Sequence, residues 1–169
     1  TVAAAPEDVP TVLDAKFGDI SYTARHYARA AFEALGVDAV SIAPYVGMDA
    51  VTPLLDYADK GIFVLVRAAN ITGNDFQLWP SERAPLYRFV TAQLNTLARE
   101  HPDQLGLMVS ATQPEDLARI RSWAPTLPFL VPGIGAQQGD LDTALAHGLT
   151  STGLGPLLGI GRALVTPVD

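Results

Sequence analysis

What most constrains this chain is its rhythm. Short apolar runs recur along it, and most are followed by a polar loop and then a helical stretch. The runs are Thr11–Leu13, Ala39–Ile42, Ile62–Val66, Leu105–Val109, Phe129–Val131 and Leu157–Ile160. They do not clearly alternate in polarity, as expected of parallel strands covered on both faces. Between them, Tyr22–Leu35 reads as an Ala-rich helix ended by Gly36, Met48–Asp59 as a second and Ala84–Arg99 as a longer third. Pro114–Trp123 follows a cap signal at Thr112, and Leu141–His147 is stopped by Gly148. Asn70–Arg83 is the longest irregular stretch and suits a lid or a subunit contact. Strand–helix alternation at this spacing implies right-handed βαβ units and an α/β fold.

Two architectures fit, a doubly wound sheet and a β/α barrel of the TIM type. The position of the polar residues favours the barrel. DAKFGD, APYVG, RAANITG, SATQP, PGIGAQQG and GIGR all lie just after strands, and in a barrel those loops gather at the C-terminal face where sites are built. A closed barrel has about eight strands, yet six runs are readable here. The expectation is a single barrel domain over residues 1–169, incomplete at both ends.

Bulk properties exclude several alternatives. A net charge of −7 disfavours broad contact with nucleic acid or an anionic membrane, though a local cationic pocket stays open. The absence of cysteine removes disulfides, thiolate nucleophiles and Cys-based zinc sites. It also fits a cytoplasmic location. No apolar run approaches the roughly 20 residues of a membrane span, and TVAAAPEDVP lacks the basic and apolar parts of a secretory signal. His26, His101 and His147 show no metal-ligand spacing and read as surface residues, so no metal site is expected. Trp79 and Trp123 read as packing or interface residues. Nothing around Thr1 supports an N-terminal nucleophile.

The chemistry concentrates in VLDAKFGDI. Residues two apart on a strand share a face, so Asp14 and Lys16 point the same way at the end of what reads as a buried strand, and Asp19 follows in the loop. Charges so placed are costly unless paired. A lone D-x-K is most simply a strand-end ion pair. The full D-x-K-x-x-D is more specific, because the second carboxylate must also find a partner.

At this point the sequence resembles a known family. LDAKFGDI, YARAAFEALGVDAVSIAPYVGMD, LVRAAN, GNDFQ, SATQPEDL, VPGIGAQQGD and GRALV occur in that order. Together they resemble orotidine 5'-phosphate decarboxylases, in the branch with D-A-K-R-G-D-I and P-G-x-G-A-Q-G-G-D motifs, over about Pro10 to Val165. The resemblance implies a dimer of β/α barrels with this chain supplying strands 3 to 8. The first two strands, the closing helix, the family's first catalytic Lys and a ribose-binding Asp then belong to a separate N-terminal chain or segment. It implies cofactor-free chemistry on a phosphorylated nucleotide, with Asp14 and Lys16 as the central Asp and Lys and Asp19 as the last Asp, which reaches into the neighbouring subunit's site. Ile20 and Thr23 would cross with Asp19, and Ala69 and Pro132 would also line the substrate. Gln137, Gly161 and Arg162 would hold the phosphate.

The departures are specific. Arg67-Ala68-Ala69-Asn70 stands where R-T-S-N is usual, so a hydroxyl that helps read the pyrimidine edge is missing at Ala69. Phe17 replaces an Arg, Ala43 an Asn, and Ser110 and Gln138 replace glycines. The leading expectation is decarboxylation of orotidine 5'-phosphate to UMP. The alternatives are a paralogue acting on another phosphorylated nucleotide-like substrate, and a non-catalytic barrel subunit.

Overall fold

The computed structural model describes residues 6 and 8–165. The reading made on Thr1 lies outside them. Six strands form one sheet in the order β1-β2-β3-β4-β5-β6: β1 (Val12–Phe17), β2 (Ala39–Ile42), β3 (Gly61–Arg67), β4 (Leu105–Val109), β5 (Phe129–Pro132) and β6 (Leu157–Gly159). The pairings β1–β2, β2–β3, β4–β5 and β5–β6 are parallel. Strictly sequential order, with no reversal, is the topology of consecutive barrel strands; a doubly wound sheet would reverse at a switch point. The fold is therefore that of six consecutive strands of a β/α barrel. The chain divides into two compact units, Thr1–Leu65 with Ala98–Gly106 and Val66–Leu97 with Leu107–Asp169.

In the first unit the core gathers around β2, buried at all four positions, with Ile62 and Val64 of β3 and the small residues Ala24, Ala28 and Ala31. Helix α1 (Ser21–Ala28) continues into a widened turn over Arg29–Ala34, where the Leu35 N–H reaches back to the Ala30 carbonyl at 3.0 Å. Gly36 ends it at φ +68°, a conformation that costs a residue with a Cβ about 1–2 kcal/mol. The second predicted helix does not form. Met48–Ala50 and Thr52–Leu54 are separate tight turns instead. Pro53 lacks an N–H and would clash with the carbonyl four residues back in a continuous helix. The turns still bury Val51, Leu54 and Leu55, so the apolar pattern is satisfied without the helix.

In the second unit β4 and β5 pack with α3 (Leu86–Glu100), α4 (Pro114–Trp123) and α5 (Leu141–Gly148) through Leu94, Leu117, Ile120 and Phe129, all fully buried. Each such side chain contributes about 1.5–3 kcal/mol. The irregular Asn70–Arg83 stretch contains a one-turn helix α2 (Asn74–Gln77), and a second short helix α6 (Arg162–Val165) follows β6. Asp140 caps α5 by accepting the Thr143 N–H at 2.7 Å. Thr112 does not cap α4. Its hydroxyl donates to the Ala69 carbonyl at 3.0 Å, and the cap position is Gln113, which makes no side-chain bond.

β1 departs from the reading of Thr11–Leu13 as a short buried strand. It runs on to Phe17, so the charged residues stand within it, and most of its positions are exposed. It is an edge of the six-stranded sheet, and there a strand has a partner on one side only.

Candidate active site

Lys16 and Asp14 meet, as their spacing predicts: Nζ lies 2.6 Å from Oδ1. Regular pleating is not the whole cause. The register between β1 and β2 is interrupted between Leu13 and Phe17, and Lys16 sits at φ +50°. Such irregularities re-aim side chains at strand ends. A residue that sequence reasoning overlooked completes the arrangement. Ser41 of β2, fully buried, donates to Asp14 Oδ1 at 2.7 Å and accepts the Lys16 backbone N–H at 2.9 Å. The available signal was a lone hydroxyl inside the apolar run AVSI. Burial works to raise the Asp14 carboxyl. The hydrogen bonds from Lys16 and Ser41, with the Lys16 charge, outweigh it and hold the carboxyl below its usual range. Side-chain exposures of 42% for Lys16 and 51% for Asp14 leave both reachable by a ligand.

Asp19 is not brought to Lys16. Its carboxylate accepts the Ile20 N–H at 2.7 Å and makes no ion pair among the described residues. Ile20 is 58% exposed and Thr23 half-buried beside it, opening α1, with no side-chain hydrogen bond from Thr23 among the described residues.

The second unit carries the glycine-rich loop after β5. Pro132 closes β5, and Gly133 follows at φ +96°. The Gly139 N–H returns to the Gly133 carbonyl at 2.9 Å, and the Gln138 N–H bonds the Gly135 carbonyl at 2.7 Å. The closure tolerates no side chain: a Cβ on Gly139 would lie 2.5 Å from the Gly133 oxygen and 2.6 Å from the Ala111 Cβ. Gln138 keeps the left-handed conformation at φ +69° although it stands where glycine is usual. Gln137 is exposed on this loop. Pro132 pairs with Gly159, which sets the loops after β5 and β6 side by side. A Cβ on Gly135 would come within 2.7 Å of the Ala163 Cβ, next to Arg162. Gln137, Gly161 and Arg162 therefore share one end of the sheet, with the exposed Arg162 guanidinium unpaired among the described residues. That is a suitable chemistry for an anion.

Ala69 lies beyond β3, and its carbonyl is held by Thr112. Just before it, Arg67 is buried to 2% exposure. Its guanidinium reaches Asp116 at 2.7 Å, Gln77 at 2.9 Å and Asn74 at 2.6 Å. Gln77 also accepts the Ala68 N–H at 3.0 Å, and Tyr87 donates to Asp116 at 2.7 Å. The network ties the loop after β3 to α2 and α4. No group of three or more His, Asp or Glu side chains disposed to hold a metal occurs among the described residues. No helix among them is long and apolar enough to cross a membrane.

Comparison with known proteins gives the family of the chain. The profile of the orotidine 5'-phosphate decarboxylase / HUMPS family matches residues 1–166. The orotidine 5'-phosphate decarboxylase of Ralstonia pickettii is 41% identical over 157 residues, 93% of this chain and 58% of its own length. The chain thus spans little more than half of that relative. Among solved structures, Leishmania donovani UMP synthase superposes with a TM-score of 0.92 at 42% identity, over 99% of this chain and 37% of that one. The OMP decarboxylase of the same organism gives 0.89 at 40% identity, over 99% and 65%.

Proposed function

Because this chain belongs to the orotidine 5'-phosphate decarboxylase / HUMPS family, we propose that it carries the reacting part of an orotidine 5'-phosphate decarboxylase, a carbon–carbon lyase of pyrimidine nucleotide synthesis. The observation that carries this reading is the Asp14–Lys16 pair, with Lys16 in a left-handed backbone conformation and its ammonium 2.6 Å from the carboxylate. Loss of CO2 from C6 of the pyrimidine leaves the electron pair of the broken bond on carbon, with little resonance to spread it. A fixed ammonium stabilises that charge more than it stabilises the starting carboxylate. Lys16 then gives its proton to C6, which yields UMP, and regains one from solvent. Asp14 places negative charge beside the substrate carboxylate and holds the ammonium. The chemistry needs no metal or organic cofactor.

Gln137, Gly161 and Arg162 grip the phosphate, while Ile20, Thr23, Ala69 and Pro132 line the nucleotide. An N-terminal chain or segment supplies the remaining strands of the barrel domain. Two barrels pair in the cytoplasm, with Asp19 serving the partner's site. That Asp19 makes no ion pair among the described residues supports that last assignment.

The test is release of CO2 from orotidine 5'-phosphate by the full-length protein, beside Lys16→Ala. The wild type turns over, and the variant loses at least about 100-fold in kcat with an unchanged melt. A folded wild type that binds UMP but releases no CO2 overturns the reading, as does an active Lys16→Ala.

A further inference from the structure

We infer that Ser41 is a positioning residue, whose single hydroxyl holds Lys16 at both its backbone and, through Asp14, its ammonium. Ser41 stands opposite the irregular stretch of β1: Leu13 pairs with Val40 and Phe17 with Ile42, leaving Asp14 to Lys16 without ladder partners in that register. The Lys16 N–H therefore needs another acceptor, and the Ser41 oxygen supplies it at 2.9 Å. The same hydroxyl spends its only proton on Asp14 Oδ1 at 2.7 Å, the oxygen that also takes the Lys16 ammonium at 2.6 Å. A residue other than glycine at φ +50° is held there against a cost of about 1–2 kcal/mol. The two bonds from one buried atom close a ring through Lys16 backbone, side chain and Asp14. Alanine at 41 would open that ring twice, leaving an N–H without its partner and a carboxylate with one donor fewer. Fully buried, Ser41 touches no ligand itself.

The kinetic consequence rests on the decarboxylase reading; the structural one does not. In the full-length protein, Ser41→Ala is expected to lower kcat about 10- to 100-fold, the equivalent of one hydrogen bond to a charged group. KM stays unchanged, because the phosphate grip is built from other elements. Ser41→Thr keeps the hydroxyl and restores kcat. Carbon-13 NMR of the Asp14 carboxyl supplies a readout independent of turnover: its titration midpoint rises in Ser41→Ala and returns in Ser41→Thr. Should Ser41→Ala fail to fold, Ser41→Cys, near in size but a weak donor, carries both measurements. An unmoved Asp14 midpoint overturns the inference, as does a kcat loss that merely follows the unfolded fraction. If the wild type releases no CO2, the decarboxylase reading fails, while the Asp14 midpoint still decides the role of Ser41.

Discussion

Replacing Arg67 by Met should be among the costliest single changes in this chain. Methionine fills much of the arginine's volume, so the effect isolates its charge and hydrogen bonds. Three side chains each lose one donor: Asp116 at 2.7 Å, Gln77 at 2.9 Å and Asn74 at 2.6 Å. Asn74, half-buried on α2 beside the exposed 70–72 turn, can take water in place of the guanidinium, and the buried Gln77 keeps the Ala68 N–H at 3.0 Å. Asp116 is the chief loss, since its side chain is only 11% exposed. Removing one member of a buried ion pair costs about 3–5 kcal/mol, because the other charge remains desolvated. Here Asp116 keeps Tyr87 at 2.7 Å and the more exposed Arg119 at 3.5 Å, which sets the expectation at the low end, about 3 kcal/mol. In urea that is a midpoint lowered by about 1–3 M at an unchanged slope. If the orphaned carboxylate is the cause, adding Asp116→Asn to Arg67→Met recovers part of the loss. Asparagine is neutral and still accepts the Tyr87 hydroxyl. A single variant costing under about 1 kcal/mol, or a double variant less stable than the single, refutes the argument.

Two further outcomes follow from the same geometry. Gln138→Gly relieves a left-handed conformation at φ +69° and should raise stability by about 1 kcal/mol, a net of relieved strain over added unfolded-state freedom; thermal melts that fall instead would show that the Gln138 side chain makes a larger contribution. Burial, together with the Asp116 carboxylate it donates to, pushes the Tyr87 hydroxyl up to about 12. The folded protein therefore holds this proton more tightly than the unfolded chain, whose tyrosines ionise near 10. The contribution is complete below about pH 10 and disappears between about 10 and 12. Urea midpoints across that range should fall more steeply for wild type than for Tyr87→Phe, and equal slopes would contradict the assignment.

The six strands and most of the helices were legible because their signals are local: apolar runs, Gly36 as a stop, and Pro114 opening α4; α5 runs one residue past its expected end and includes Gly148. What escaped the sequence depends on residues far along the chain. Ser41 meets partners 25 and 27 positions away, and nothing in AVSI says which hydroxyl will face a bulge. Thr112 has the local appearance of a cap, but its hydroxyl goes to a carbonyl 43 residues distant. Met48–Asp59 carries a helical apolar pattern that Pro53 breaks into two tight turns. Arg67 appeared only as the first letter of a motif, although its guanidinium organises the loop after β3. For the site itself, the D-x-K spacing located the ion pair correctly. The left-handed turn at Lys16 had no signal, since lysine is not a residue that favours it.

The closed loop after β5 has a kinetic corollary. With Gly139 folded back onto Gly133 and no room for a Cβ between them, its shape exists before any anion arrives. A ligand docking there would not have to freeze a wandering segment, a step that commonly costs affinity and slows capture. Association at this end of the sheet should therefore be a single concentration-dependent phase whose speed is set by diffusion and charge.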